Sequence, residues 1–172
     1  MPVLQRRLQR LASLPRLGWV DAPSPVESLP GLAGEMGLDA LWMKRDDALG
    51  LGLGLHGGTK IRKLDLLLAA PPWRDAPAWA SVGAIGSGHL VALSAAARRL
   101  GRRLDARMFW EPPLPDLLQN LAYVASGPGE LRFSGTRVAL ALRDPRALLA
   151  GRIGDAAVVP PGASCLQGHL GV

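Results

Sequence analysis

The sequence contains little cysteine, few aromatic residues and no long apolar run. Its single cysteine, Cys165, excludes an internal disulfide and a metal site built from several cysteines, and this usage is typical of a reducing cytoplasm. Aromatic residues make up only 5% of the chain, so there is no platform on which nucleic-acid bases could stack. No apolar run approaches the roughly 18 residues that a bilayer-spanning helix needs. We therefore expect a cytoplasmic protein that binds neither membranes nor nucleic acids.

The chain is nevertheless basic, with a formal net charge of +6. Its arginines are scattered, with short clusters only at Arg6-Arg7 and between Arg98 and Arg103. This distribution favours solvated helix faces, and a basic patch of this kind suits small anions at most. A nucleic-acid-binding module is the weaker alternative, and an assay for salt-dependent binding would test it.

Lysine is scarce in this basic chain. Only three of the twenty lysine and arginine residues are lysines, and Lys44, Lys60 and Lys63 all fall in one short window. A lysine amine, unlike an arginine guanidinium, can lose its proton and attack a carbonyl carbon. The clustering therefore favours Schiff-base chemistry at one of these amines. The alternative is that three solvated charges share a helix end by chance.

Helical and extended patterns alternate along the chain. Helices are predicted over the first sixteen residues and over 30–36, 59–70, 89–100, 114–125 and 143–150, with a further helix opening near the last residues. Strands are predicted over 38–43, 79–85, 104–110, 130–133 and 156–159, the first of them as a buried strand. This alternation is typical of an α/β fold in which helices cover both faces of a parallel sheet.

Two glycine-rich turns lead into predicted helices. Gly57-Gly58-Thr59 precedes Lys60, and Gly86-Ser87-Gly88-His89 follows the strand predicted over 79–85. Both turns place backbone N–H groups and a hydroxyl where an anion would bind, because helix N-termini carry a positive partial charge. The first turn is not a nucleotide P-loop, in which lysine directly follows glycine. The alternative is that the glycines only allow close packing.

The order of these motifs resembles the 1-aminocyclopropane-1-carboxylate deaminase/D-cysteine desulfhydrase family. The matching stretches are Pro23-Ser24-Pro25-Val26, Leu41-Trp42-Met43-Lys44-Arg45-Asp46-Asp47, Gly57-Gly58-Thr59-Lys60-Ile61-Arg62-Lys63-Leu64 and Gly83-Ala84-Ile85-Gly86-Ser87-Gly88-His89, with looser matches at Gln119-Asn120-Leu121 and Pro160-Pro161-Gly162-Ala163-Ser164. This family belongs to the tryptophan-synthase-β-like, fold type II group of enzymes that use pyridoxal phosphate. The resemblance implies parallel twisted sheets with helices on both faces.

The resemblance also implies roles for five residues at the two turns. Lys60 stands where the family's lysine forms a Schiff base with pyridoxal phosphate and later moves the Cα proton, with Thr59 and Gly88 at cofactor-binding positions. Ser87 stands beside the substrate carboxylate and the reacting carbon, and Ser87, Gly88 and His89 would bind the substrate at a helix N-terminus. The implied activity is that of a lyase or deaminase that converts a small amino acid, such as D-cysteine or aminocyclopropane carboxylate, into a 2-oxo acid and ammonia.

The sequence departs from the family at two of these positions. Thr59 replaces the asparagine that precedes the family's lysine. Gly88 replaces an asparagine that, in the family, donates a hydrogen bond to the phenolic oxygen of the cofactor. Because glycine has no side chain to make this bond, we expect altered cofactor affinity or electronics. We expect His89 to be a core or helix-capping histidine rather than a base, and residues 44–47 to be structural.

Members of the family are about twice as long as this chain. The resemblance therefore implies an N-terminal portion, in which residues 1–70 begin the large lobe and carry the lysine motif. Residues 71–155 would form the small lobe, and residues 156–172 would begin the return to the large lobe, whose second half is missing. We expect a homodimer or a complementing C-terminal fragment as partner. The alternative is a truncated, non-catalytic homologue that keeps part of the fold and binds the cofactor at most weakly.

Overall fold

Helices and strands alternate in the computed structural model, which describes residues 2–20, 23–56, 58–112, 115–149 and 151–171. The α-helices among these residues are α1 (Pro2–Ala12), α2 (Pro30–Glu35), α3 (Thr59–Leu67), α4 (Gly88–Leu100), α5 (Leu117–Ala125), α6 (Arg137–Arg143) and α7 (Leu166–His169). The strands are β1 (Val26–Ser28), β2 (Trp42–Lys44), β3 (Ala78–Ala84), β4 (Arg103–Phe109), β5 (Gly129–Phe133), β6 (Arg152–Ile153) and β7 (Ala156–Val158). Within the described residues, none of the helices is long and apolar enough to cross a bilayer.

The main sheet has five strands in the order β5-β4-β3-β7-β6. All its pairings are parallel except that of β6 with β7. The central strand β3 pairs with β4 along its full length and with β7 from Ala78↔Ala156 to Ala80↔Val158. Because both of its faces are covered, β3 is buried almost throughout and its sequence lacks polar alternation. The predicted α/β class with a parallel sheet is confirmed.

The core lies on both faces of this sheet. On one face, α3, α4 and α5 bury a large cluster that includes Trp79, Leu90, Leu93 and Met108. On the other face, α6 contributes Leu140 to a smaller cluster. A fully buried leucine contributes about 1.5–3 kcal/mol relative to an exposed one, so the larger cluster supplies most of the stability. The expected helices on both faces are therefore present.

A long-range contact ties the end of β7 to the loop before β3. The indole Nε1–H of Trp73 donates to the carbonyl oxygen of Val158 at 2.7 Å, and the two residues are 85 positions apart in sequence. The indole N–H of Trp79 in turn donates to the carbonyl oxygen of Trp73 at 2.9 Å. These two bonds satisfy buried donors that would otherwise destabilise the core.

The predicted strands over 79–85, 104–110, 130–133 and 156–159 are present as β3, β4, β5 and β7. The predicted helices over 30–36, 59–70, 89–100 and 114–125 are present as α2, α3, α4 and α5, and the first predicted helix is α1. Two predicted helix ends, Leu114 and Ala150, lie outside the described residues.

The prediction of a helix over residues 143–150 is wrong. The helix in this region is α6, and it begins after Thr136, whose Oγ1 accepts a hydrogen bond from the backbone N–H of Ala139 at 3.1 Å. The chain leaves the helix at Asp144 because Pro145 disfavours a helical conformation in the residue before it. Pro145 then opens a separate 3₁₀ turn, so the helical pattern belongs to two short elements.

The second sheet is an antiparallel pair of β1 and β2, which we call the ribbon. The buried strand predicted over 38–43 corresponds to β2, and that prediction is wrong, because Trp42, Met43 and Lys44 are all exposed. The apolar pattern of Trp42 and Met43 therefore reflects no burial within the described part of the chain.

Candidate active site

A cleft of about 460 Å³ opens at the carboxyl ends of β3 and β4. This volume lies in the range typical of small-molecule sites, and the carboxyl edge of a parallel sheet is where such sites form. Four of the five residues predicted for the site line this cleft, namely Lys60, Ser87, Gly88 and His89. The fifth, Thr59, is exposed and precedes Lys60 as the first residue of α3. The structure therefore brings the two predicted turns to one site, although Gly57 lies outside the described residues.

The turn after β3 directs Ser87 into the cleft. Gly86 adopts a φ of +79°, a left-handed conformation that favours glycine, and the N–H of Ser87 donates to the carbonyl oxygen of Ala84 at 3.0 Å. A Cβ added to Gly83 would lie 2.7 Å from Oγ of Ser87 and 2.9 Å from Cδ1 of Leu90. Glycine at position 83 thus leaves the space that the Ser87 side chain occupies.

The N-terminus of α4 faces the same cleft. Ser87 precedes this 13-residue helix, and the N–H of Val91 donates to its carbonyl oxygen at 3.1 Å. Among the described residues, no acceptor binds the backbone N–H groups of Gly88, His89 and Leu90. Free N–H groups together with the helix dipole attract an anion such as a carboxylate.

Asn120 fixes the turn from the opposite side. Its side-chain Nδ2 donates to the carbonyl oxygen of Gly86 at 2.9 Å. A Cβ added to Gly86 would lie 3.0 Å from Cα of Leu117, so α5 packs directly on the turn. Asn120 lies in a stretch that loosely matches a family motif. Its hydrogen bond to the turn could not be predicted from the sequence, because the contact spans 34 positions.

His89 is a buried core residue, as expected. Its Nε2 lies 3.0 Å from Oγ of Ser81, and that hydroxyl donates its only proton to the carbonyl oxygen of Val159 at 2.8 Å. Nε2 must therefore carry the proton of the neutral ring, which leaves Nδ1 buried and without a partner among the described residues. Burial, and then the charges of Lys60 and Lys63, lower the pKa of His89 to about 4.

Asp46 anchors the start of α3. Its carbonyl oxygen accepts from the N–H of Gly58 at 2.6 Å, and its carboxylate accepts from Nη2 of Arg62 at 3.0 Å. The side chains of Lys44 and Ser24 also donate to this carboxylate. Donation by Arg62, then by Lys44 and Ser24, holds the pKa of Asp46 well below its usual range. We call Ser24, Lys44, Asp46 and Arg62 the Asp46 cluster.

The three lysines have different surroundings. Lys44 is paired with Asp46 in the cluster, whereas Lys60 and Lys63 have no ion-pair partner within the described part of the chain. Of the three, only Lys60 lines the cleft, at an exposed position in the first turn of α3. Its amine is therefore the one that can meet a ligand held beside Ser87.

These residues fit a cofactor that carries an aldehyde and acts on a substrate that carries a carboxylate. Lys60 offers an amine, the start of α4 offers free N–H donors, and Ser87 offers a hydroxyl within the same cleft. The space beside Gly88 is open, since an added Cβ there would have no atom within 4 Å. Pyridoxal phosphate, the cofactor of the family resembled, carries such an aldehyde and acts on amino acids, which carry the carboxylate.

Known proteins resemble the chain along almost its whole length. D-cysteine desulfhydrase of Klebsiella pneumoniae is 36% identical over 174 residues, which cover 95% of this chain and 51% of that enzyme. The D-cysteine desulfhydrase of Salmonella typhimurium is 33% identical over 174 residues, which again cover 95% of this chain and 51% of that enzyme. A Pyrococcus horikoshii protein, provisionally named a 1-aminocyclopropane-1-carboxylate deaminase, is 41% identical over 96 residues, or 56% of this chain and 28% of that protein. No family model matches the chain.

A solved structure shares the fold. The crystal structure of an ACC deaminase homologue superposes with a TM-score of 0.72 and 29% sequence identity, covering 95% of this chain and 50% of that one. The chain thus spans about half the length of the proteins that it matches. Its motif order, its parallel sheet and these similarities match the 1-aminocyclopropane-1-carboxylate deaminase/D-cysteine desulfhydrase family over about half the length of the proteins compared.

Proposed function

We propose that this chain supplies the lysine and the substrate-binding turn of a pyridoxal-phosphate-dependent lyase or deaminase that acts on a small amino acid. The observation that carries the proposal is that Lys60 and Ser87 line one cleft, beside the free N–H groups at the start of α4. D-cysteine and aminocyclopropane carboxylate are the candidate substrates, after the names of the relatives. A 2-oxo acid and ammonia would be the products, together with sulfide when the substrate is D-cysteine.

Each residue of the cleft has a distinct task in this proposal. When bound, pyridoxal phosphate supplies an electron sink that stabilises negative charge at the substrate Cα. Lys60 would hold the cofactor aldehyde through its amine, and this amine, once the substrate amine has displaced it, would take or return the Cα proton. The N–H groups of Gly88 and His89 hold the substrate carboxylate, and the hydroxyl of Ser87 lies beside the reacting carbon. The His89 ring stays neutral in the core and supports the helix start.

The chain spans about half the length of its relatives, so we propose that turnover needs a complementing polypeptide. That polypeptide would supply the remaining contacts to the cofactor ring and phosphate. The division into 1–70, 71–155 and 156–172 stays a prediction, as do the cytoplasmic location and a homodimer.

The three lysines allow a direct test of the cofactor site. The chain is incubated with pyridoxal phosphate and reduced with borohydride, and peptide mass spectrometry then finds which lysine carries the pyridoxyl group. We expect preferential labelling of Lys60 over Lys44 and Lys63. Lys60→Arg should abolish this preferred label, and the matched control Lys63→Arg should retain it. Equal labelling of the three lysines would contradict the proposal.

A non-catalytic homologue is the second candidate, and Gly88 favours it. Glycine cannot make the hydrogen bond that the family's asparagine makes to the cofactor, so the chain would bind pyridoxal phosphate weakly. In that case the cofactor would raise the melting temperature slightly, by preferential binding to the folded state. No 2-oxo acid would form from D-cysteine or aminocyclopropane carboxylate, even with a complementing half present.

A further inference from the structure

Strand β5 forms one edge of the main sheet. It pairs with β4 on one side, and within the described part of the chain no strand pairs with its other side. All the residues of Gly129–Phe133 are exposed. An uncovered edge strand presents backbone N–H and C=O groups that another strand can bind. Proline, lysine and β-bulges often block such an edge, and none of them occurs in this strand.

The hydrogen bonds to β4 determine which backbone groups of β5 point to the free edge. The N–H of Leu104 donates to the carbonyl oxygen of Pro128 at 2.7 Å, and the N–H of Ser134 donates to the carbonyl oxygen of Met108 at 2.8 Å. Successive residues of a strand direct their backbone polar groups to opposite edges. The even-numbered residues of β5 therefore face β4, whereas Leu131 directs its N–H and C=O groups outward.

The charges of β5 are complementary to those of a second, antiparallel copy. Glu130 and Arg132 lie on one face of the strand, and Leu131 lies between them on the other face. In a symmetric antiparallel pair, one residue of the strand faces its own copy. With Glu130 or Arg132 in this central position, equal charges would lie directly opposite each other, which is destabilising. With Leu131 at the centre, Glu130 of each copy faces Arg132 of the other.

This register also suits the backbone and the apolar side chains. The outward N–H and C=O groups of the two copies of Leu131 would bond to each other, as in a hydrogen-bonded pair of an antiparallel ladder. Phe133 would face Gly129 of the second copy, where the absence of a side chain leaves room for its ring. Leu131 is 40% exposed and Phe133 is 61% exposed, so the pairing would remove apolar surface from water.

We propose that β5 pairs antiparallel with β5 of a second copy of this chain, in the register centred on Leu131. Nη2 of Arg132 lies 2.6 Å from the Glu130 carboxylate within one copy, and the pairing replaces this contact by two ion pairs between the copies. The two sheets join into one, and the two clefts lie at its opposite ends. The pairing needs neither the cofactor nor a complementing polypeptide, so it stands or falls independently of the proposed function.

Charge reversal tests the proposal. Sedimentation velocity of the full chain at rising concentration should show a monomer–dimer equilibrium. Glu130→Arg and Arg132→Glu should each weaken the dimer roughly tenfold, because like charges then face each other on both sides of the centre. A mixture of these two variants should associate again, since all the facing charges are then opposite. Leu166→Asp, at an exposed leucine of α7, which packs on α3, is the matched control and should leave the dimer intact.

Hydrogen exchange locates the interface in the unchanged protein. The amide of Leu131 should gain protection as the concentration rises, whereas that of Ser134, which already bonds to Met108, should not change. A monomer at every concentration would overturn the proposal, and so would mixed variants that fail to associate. A dimer that both charge reversals leave intact would also overturn it, because another surface would then join the copies. The melting temperature of each variant checks that it is folded.

Discussion

Asp46 and Arg62 form an ion pair, with Nη2 of Arg62 3.0 Å from the carboxylate. One helical turn earlier, the N–H of Gly58 donates to the carbonyl oxygen of the same aspartate at 2.6 Å. The two contacts hold both ends of the first turn of α3, and Lys60 lies between them. We therefore expect the direction of the Lys60 side chain to depend on Asp46, although Asp46 does not line the cleft.

We expect Asp46→Asn to lower the free energy of unfolding by about 2 kcal/mol, because hydrogen bonds to a charged acceptor are lost. The substitution should also reduce the share of pyridoxyl label on Lys60 and raise that on Lys44, whose amine is released from its ion pair. Asp47→Asn is the matched control, since Asp47 is exposed and its side chain binds Arg45. Denaturant unfolding and peptide mass spectrometry measure both effects. An unchanged label distribution in the Asp46 variant would refute this positioning role.

The buried histidine predicts a pH dependence of stability. The pKa of His89 is lowered from 6.5 to about 4 in the folded protein, so the unfolded chain binds a proton more readily between these values. The contribution of the neutral His89 ring to the free energy of unfolding is therefore fully present above pH 6.5. It is lost as the pH falls toward 4, which lowers the free energy of unfolding by about 3 kcal/mol. The pKa of Asp46 is also lowered, so its ion pairs stop contributing to the free energy of unfolding only at a pH below this range, where its carboxylate becomes protonated.

Urea unfolding at a series of pH values measures this dependence. His89→Gln should flatten the curve between pH 6.5 and 4, because the replacement does not titrate. His169→Gln, at an exposed histidine, should keep the slope of the unchanged protein. If the His89 variant kept the full slope, another group would be responsible.

Gly83 and Gly88 make a matched pair for substitution by alanine. A Cβ at position 83 would lie 2.7 Å from Oγ of Ser87, whereas a Cβ at position 88 would have no atom within 4 Å. We expect Gly83→Ala to cost about 1–3 kcal/mol of folding free energy and to displace Ser87. Gly88→Ala should be neutral or slightly stabilising, since alanine favours helix over glycine. Thermal unfolding compares the two, and equal costs would contradict the close packing of Ser87.

Restoring the family's asparagine should strengthen cofactor binding. Gly88→Asn fits the open space at the start of α4 and returns a donor that can reach the cofactor. One hydrogen bond is worth about 1 kcal/mol, so we expect a roughly fivefold lower dissociation constant for pyridoxal phosphate. Absorbance titration measures this change, with Gly88→Ala as the control that adds bulk without a donor. Equal affinities of the two variants would count against the proposed position of the cofactor.

The sequence predicted those features that are encoded locally. The strand before Gly86 and the helix after Ser87 were predictable from an apolar run, a left-handed glycine and a helix start that follow one another directly. Motif order also pointed to Lys60 and Ser87, because they belong to stretches that are specific to the family. Both residues line one cleft, and their roles in it stay predictions.

Features that depend on distant contacts could not be predicted. The exposure of Trp42 depends on what packs against the ribbon, and its apolar pattern alone indicates a buried strand. The contacts of Asp46 and Asn120 join parts of the chain that are far apart in sequence. The start of α6 was predictable in principle, because Thr136 is a common helix N-cap and Pro145 follows within ten residues.

The pairing of β3 with β7 has a consequence for synthesis on the ribosome. The side of β3 that faces away from β4 stays open during translation until Ala156–Val158 have left the exit tunnel. The hydrogen bond from the indole N–H of Trp73 to the carbonyl oxygen of Val158 also cannot form before Val158 has been synthesised. The nascent chain therefore carries an unpaired strand edge while the residues between Ala84 and Ala156 are added, and such an edge can pair with other chains.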